Sequence, residues 1–312
     1  RARYSSMKFA TMATGGIGGY LAVRLTQAGH QVATIARGDH LKAIQSHGLR
    51  FEGPTGEAVV KPWVATNDPS EVDHVDAIIF GVKGDALDHA AELCKLMLGP
   101  TTVVIPFLNG VEATDRLTRI LPPESVANGL AQISTTIARP GMIRQTGEFS
   151  RFVFAERDSR PSERIDDIRA AFEGAGVAAP TTDNIERDVW MKFILFSAMS
   201  GVTAAARCTL GQIRETEALS DLYRTVLSET AALARARGVA ISDDAEEQIW
   251  AIVQDLPPTM RASTAIDLEA GRPLEIEWVS GAVKRLAAES DVGAPMNAAL
   301  YALLSPHKDG TQ

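Results

Sequence analysis

Apolar residues recur along the first half of the chain in two ways, as short unbroken runs and as longer stretches where they return every three or four positions. The run Lys8-Phe9-Ala10-Thr11-Met12-Ala13 predicts a buried strand, Thr14-Gly15-Gly16-Ile17-Gly18-Gly19 a turn, and Tyr20-Leu21-Ala22-Val23-Arg24-Leu25 the opening of a helix. Gln31 to Ala36, Asp76 to Val82 and Thr101 to Phe107 read as further strands, with Asp85 to Leu98 helical between the last two. Such alternation implies an α/β domain built on a parallel, doubly wound sheet. Ser125 to Ala155 holds shorter strand-like runs broken by Pro140-Gly141 and Gly147, which are expected to extend the edge of that sheet. A helix over Arg160 to Gly174 then finishes the domain.

Beyond about Asn184 the pattern turns helical, over Arg214 to Arg237, Asp243 to Gln254 and Glu277 to Glu289, with no convincing strand. The expected division is an α/β domain at 7–184 and an all-helical domain at 185–312. Val189 to Ala206 is apolar for nearly membrane length, yet it lacks basic flanks. Burial of a helix that is apolar all round, as the floor of a cleft between the domains, explains it better than lipid does.

The glycine turn is the first candidate for chemistry. Between a strand and a helix, such a turn brings backbone close to a pyrophosphate, whose charge rests on the free N–H groups and the positive end of the helix dipole. Aligned on Gly15 and Gly18, the GxGxxG pattern reads Ala13-Thr14-Gly15-Gly16-Ile17-Gly18, with alanine at the glycine that serves the tight turn. A plain strand-to-helix connection would look similar. The next strand ends in Arg37-Gly38, where an acidic residue would hold the ribose hydroxyl of NAD. Arginine offers a permanently charged fork suited to a 2′-phosphate, so the expected cofactor is NADP(H), unless Arg37 is a solvated loop cation.

Composition narrows the partners. With 45% hydrophobic and 22% charged residues over 312 positions, the chain reads as an ordinary globular protein. A net charge of −8 without any basic run argues against nucleic acid and anionic membrane as partners. Cys94 and Cys208 lie in apolar surroundings without metal-ligand spacing and read as reduced core thiols, which points to the cytoplasm. Arg1 to Ser6, ahead of Met7, read as an artificial or disordered leader rather than a signal peptide. His30, His40, His47, His74, His89 and His307 are scattered, none at the i, i+4 spacing of a helical metal pair, and no metal site is expected.

Six motifs in order carry a resemblance across Met7 to about Leu304. They are Gly15-Gly16-Ile17-Gly18-Gly19-Tyr20-Leu21-Ala22, Ile35-Ala36-Arg37-Gly38, Val82-Lys83, Leu108-Asn109-Gly110-Val111, Trp190-Met191-Lys192, and Ser263-Thr264-Ala265-Ile266-Asp267 with Gly271-Arg272-Pro273-Leu274-Glu275-Ile276. Together they resemble the ketopantoate reductases (2-dehydropantoate 2-reductases). The resemblance implies an NADP-binding Rossmann domain, a helical second domain that pairs into a homodimer, and reduction of ketopantoate to pantoate on the way to pantothenate and coenzyme A. It implies Lys192 as general acid and Glu275 as its orienting partner. Asn109 and Ser263 would bind the substrate, with Ser200 and Phe196 facing it from the lysine's helix. Cofactor binding would fall to Ala13, Thr14, Gly15, Gly16, Ile17, Gly18, Arg37, Lys83, Asn109 and Glu275.

Each role has a plainer counterpart in the sequence. Lys192 could instead be a lysine at a helix end beside aromatic residues, Glu275 a surface ion-pair partner, Asn109 a turn asparagine before Gly110, Ser263 a helix cap and Lys83 a loop cation, although the resemblance favours catalysis for Lys192. The chain also departs from the family pattern. Phe196 and Ser200, four and eight positions after Lys192, stand where asparagines are usual, as does Met260, and Ala86 and Leu108 replace polar residues. A reductase of a less polar 2-keto acid is therefore the main alternative to ketopantoate. Another hydroxyacid dehydrogenase with the same two-domain plan, or a protein that senses NADP without turnover, are the others.

Overall fold

The computed structural model describes residues 6–311. The expected leader thus lies outside the described residues except for Ser6. Five strands, β1 (Lys8–Met12), β2 (Gln31–Ile35), β5 (Val64–Thr66), β6 (Val75–Phe80) and β7 (Leu98–Pro106), form a parallel sheet in the order β5-β2-β1-β6-β7. Side chains alternate across each strand, so neighbours in sequence enter different cores. Phe9, Val32, Ala77, Ile79, Val103 and Ile105 bury on one face; Ala10, Met12, Ala33, Ile35, Ile78, Phe80 and Val104 bury on the other. Burial on both faces is why these strands read as continuous apolar runs.

On the first face lie helices α1 (Gly16–Gln27) and α5 (Glu163–Gly174); the second face is covered from α3 (Leu87–Cys94) and α4 (Ala113–Ile120). Short helix α2 (Gly38–His47) follows β2.

The segment expected to extend this sheet touches its edge only at Val126, which bridges Val104 of β7 in parallel, and then leaves it. β8 (Ala127–Arg139) and β9 (Met142–Glu156) form a hairpin that joins β3 (Leu49–Gly53) and β4 (Gly56–Val60) in a separate sheet of order β4-β3-β9-β8. The cause is α1, which is apolar nearly all round: Tyr20, Leu21, Ala22, Val23 and Leu25 are buried in one cluster with Phe51, Ile143, Phe152 and Phe154 of the second sheet. One sheet leaves part of such a helix in water, and burying the rest is favourable by about 25 cal/mol per Å². Pro140-Gly141 is the hairpin turn, and Gly147 (φ +75°) lies in a bulge where the register jumps from Ile133–Ser150 to Thr135–Gln145.

The chain separates into two compact units, the first running through Leu108 and resuming at Glu112–Ile185, the second comprising Asn109–Val111 and everything from Glu186. The second unit holds helices and loops and no strand among its described residues. Its α-helices are α6 (Ile185–Ala205), α7 (Leu210–Glu215), α8 (Glu217–Ala236), α9 (Ala245–Asp255), α10 (Ser263–Glu269), α11 (Ser280–Glu289) and α12 (Pro295–Leu304). The expected helix at Arg214 to Arg237 is two helices. Thr216 adopts extended backbone (φ −111°, ψ 107°) between them and its carbonyl receives the amides of Leu219 and Ser220. Among the described residues no helix is long and apolar enough to cross a membrane.

Candidate functional site

The glycine turn belongs to the first unit. Gly15 is the N-cap of α1, and the space where its side chain would stand is open. The other glycines answer to packing. A Cβ on Gly18 would strike the carbonyl of Ala13, one on Gly16 would lie 2.6 Å from the Thr135 carbonyl of β8, and one on Gly19 would lie 2.5 Å from Ile143. Gly18 therefore lets helix approach strand, while Gly15 has no packing partner and leaves a cradle that a side chain would fill. That open cradle at a helix N-terminus fits a dinucleotide pyrophosphate.

Thr14 holds the turn to β1 and β2, while the Ala13 carbonyl faces Gly18. The Thr14 amide donates to the Ile35 carbonyl at 2.8 Å, and its hydroxyl pairs with that of Thr11 at 2.7 Å. Ile17 is half-buried against the first core. Arg37 is the N-cap residue of α2, with extended backbone (φ −138°, ψ 162°) and an exposed side chain just beyond the end of β2. Lys83 is exposed just beyond β6 and caps the short turn Gly84–Ala86.

Lys192, Asn109 and Glu275 come together in the second unit. Lys192 lies in α6, partly buried, and its Nζ donates to Asn109 Oδ1 at 3.3 Å. Burial pushes the ammonium down to about 8, while the charge of Glu275 pulls in the opposite direction. Asn109 reaches the lysine because the following Gly110 takes φ +94° and presses against the Trp278 carbonyl, to which a Cβ would come within 2.8 Å. Glu275 precedes the single helical turn Ile276–Trp278.

One turn along α6, the Phe196 ring centre is 6.0 Å from Lys192 Nζ. Ser200 lies a further turn on and is only 1% exposed, its hydroxyl 2.6 Å from that of Thr264 on α10. Ser263 begins α10 with its side chain exposed; the cap position belongs to Ala262. Among the described residues no cluster of histidine, cysteine, aspartate or glutamate could hold a metal ion.

Residues 10–159 match the family described as Ketopantoate reductase PanE/ApbA, and residues 184–308 match its C-terminal part. A 2-dehydropantoate 2-reductase of Mesorhizobium japonicum is 30% identical, over 96% of this chain and 97% of its own. The chain belongs to the ketopantoate reductase family. An uncharacterized oxidoreductase of Bacillus subtilis, YkpB, is 28% identical over 97% of this chain and 99% of its own. A crystal structure of a PanE/ApbA family ketopantoate reductase from Ralstonia eutropha is 33% identical, covers 97% of this chain and 98% of its own, and superimposes with a TM-score of 0.87. The protein is accordingly an oxidoreductase of this family. A ternary structure of D-mandelate dehydrogenase with NADH and anilino(oxo)acetate, 22% identical over 97% of this chain and 98% of its own, shares the fold with a TM-score of 0.87.

Two further side chains belong to these sites, and the sequence marks neither strongly. Thr264 engages Ser200, and its only sequence signal is a second hydroxyl beside Ser263. His40, in the first turn of α2, bonds the carbonyl of Thr14. Its signal was position: a polar ring placed just after Arg37-Gly38, on the helix that follows the second strand of a nucleotide-binding unit.

Proposed function

We propose that the protein reduces the keto group of a small 2-keto acid with NADPH, and that ketopantoate, yielding pantoate, is the substrate. The observation that carries the reading is Lys192, a partly buried ammonium bonded to Asn109 and under the charge of Glu275. When bound, NADPH supplies a hydride to the carbonyl carbon. Negative charge then develops on the carbonyl oxygen, and a positioned donor lowers the barrier by giving a proton as it does.

Lys192 is that donor. With its ammonium pushed down to about 8, it is mostly protonated at neutral pH yet gives up its proton more readily than an ordinary lysine. Asn109 Oδ1 accepts one N–H of Lys192 and fixes the direction of the others. Its amide nitrogen remains to donate to cofactor or substrate. Glu275 favours the charged form, and the exposed Ser263 hydroxyl receives the substrate carboxylate. On the turn that Thr14 holds, Gly15 and Gly16 offer their backbone amides to the pyrophosphate, Arg37 pairs with the 2′-phosphate, and Lys83 reaches the nicotinamide ribose. A cytoplasmic homodimer completes the reading, supported by free thiols at Cys94 and Cys208 and by Leu303 of α12, which is 65% exposed.

A second reading, reduction of a less polar 2-keto acid, is favoured by the α6 face beyond Lys192. Phe196 offers no hydrogen bond there, and the Ser200 hydroxyl is occupied by Thr264. A substrate hydroxyl left without a partner in such a site costs affinity. Loss of NADPH absorbance with ketopantoate, pyruvate, and branched or aromatic 2-keto acids in parallel separates the readings. Preference for ketopantoate supports the first and preference for a hydroxyl-free acid the second; no turnover of any of them overturns both.

A further inference from the structure

We propose that His40 is a positioning residue for the nucleotide cradle, bridging the glycine turn and the β8–β9 hairpin in a way that only its neutral ring allows. The inference rests on the nucleotide reading of the glycine turn and concerns how that turn is held.

His40 Nε2 lies 2.9 Å from the Thr14 carbonyl oxygen, and the Gly141 amide donates to Nδ1 at 2.9 Å. A backbone amide has only a hydrogen to offer, so Nδ1 must present its lone pair. The proton is then on Nε2, and it is donated to Thr14. One tautomer of the neutral ring satisfies both neighbours.

Both ends of this bridge are otherwise fixed. Gly141 takes φ +75°, a Cβ there would lie 2.8 Å from the Ala43 side chain, and its carbonyl accepts the Arg50 amide at 2.8 Å. Thr14 is held through its own amide by Ile35. The imidazole thus ties the turn on which a pyrophosphate would rest to the hairpin whose Thr135 carbonyl faces Gly16.

Protonation would place a second N–H at Nδ1, facing the N–H of Gly141. Two donors cannot share one bond, so the bridge must open on one side. Burial already opposes the charged ring and holds His40 below the usual histidine range, against the pull of the Thr14 carbonyl. The charged and titratable residues on the elements that meet it are Arg37, Asp39, Lys42 and His47 on α2, Arg50 and Glu52 on β3, and Arg139, Arg144, Glu148, Arg151 and Glu156 on the hairpin; the glycine turn carries none. Asp39 pairs with Lys42 at 3.3 Å, Arg139 donates to Met142 Sδ at 3.1 Å, and none of these groups contributes to the shift.

The test is binding of NADP+ to the whole protein, followed by calorimetry at about pH 8 and in steps down to about pH 4.5, a span carried well below ordinary histidine titration because burial holds His40 under it. His40→Gln keeps a donor for Thr14 and an acceptor for Gly141 but does not titrate. His40→Leu keeps neither. The cofactor's own phosphate titrates in the same span, equally for every variant, and cancels in the comparison. We expect wild type to lose about tenfold more affinity on acidification than His40→Gln, and His40→Leu to bind about tenfold more weakly than wild type at the higher pH. Identical pH dependence in wild type and His40→Gln overturns the proposal, whether or not His40→Leu folds. Failure of wild type to bind NADP+ or NAD+ at any pH in the span overturns the nucleotide reading itself, and the role of His40 with it.

Discussion

Lys192 and Asn109 are 83 positions apart in sequence, and their side chains meet at 3.3 Å. The meeting depends on Gly110, whose φ of +94° and closeness to the Trp278 carbonyl admit no side chain. Gly110→Ala should therefore displace Asn109 and lower turnover by about tenfold or more while NADP+ binding to the first unit is kept. Steady-state kinetics beside a cofactor titration separates the two effects; unchanged turnover would free Asn109 from the mechanism.

The acidity of Lys192 sets a pH profile. Turnover should fall as pH rises through about 8, because the proton donor is then lost. Stability carries the opposite sign. A lysine lowered from its ordinary 10.5 costs folding free energy wherever it is held charged, fully below about pH 8, and the cost fades as pH rises toward 10.5. Lys192→Met should accordingly cut turnover by about a hundredfold or more and raise stability by about 1–3 kcal/mol at neutral pH. Thermal melts at neutral and alkaline pH, where the gain should shrink, check the sign.

Gly15 and Gly18 should fail differently. Gly18→Ala sets a methyl against the Ala13 carbonyl and is expected to destabilise the fold by about 1–3 kcal/mol. Gly15→Ala has room and should leave the melting temperature nearly unchanged while weakening nucleotide affinity. Melting curves and NADP+ titrations of both variants test the contrast, and equal behaviour would contradict the division of labour drawn between them.

Arg37 should decide between cofactors. Its guanidinium is exposed at the end of β2, and the proposed pairing with a 2′-phosphate would be a hydrogen bond to a charged group, worth about 1.5–3 kcal/mol. Arg37→Asp should reduce NADP+ affinity by about ten- to a hundredfold and leave NAD+ affinity equal or improved. Parallel loss of both dinucleotides would place the arginine's contribution elsewhere.

Thr264→Val removes one member of a buried hydroxyl pair and leaves Ser200 facing a methyl group. The expected cost is about 1–2 kcal/mol of stability, with Thr264→Ser close to wild type because it keeps the hydroxyl. Chemical denaturation of the two variants distinguishes a lost hydrogen bond from lost packing.

Much of the parallel sheet could be read from the chain alone. Strands buried on both faces need unbroken apolar runs, so β1, β2, β6 and β7 announce themselves locally. The glycine turn was equally legible, since a close strand-to-helix approach leaves room for little besides glycine at Gly18. The lysine on a long apolar helix was visible as an anomaly of composition, and the order of the motifs made the family recognisable.

The second sheet was not legible, because it depends on Phe51 lying beside Ile143, and pairing between strands so distant has no local periodicity to reveal it. Nor could the sequence say that Asn109–Val111 would pack with the helical unit, that the Ser200 hydroxyl would be taken by Thr264, or that His40 would bridge Thr14 and Gly141. Sequence by itself determined which segments must be buried and which residue types could carry the chemistry, since both follow from the side chains and their spacing. Tertiary structure alone decided which polar atoms meet, because a hydrogen bond needs its partner within about 3 Å, and that distance is set by how the rest of the chain packs.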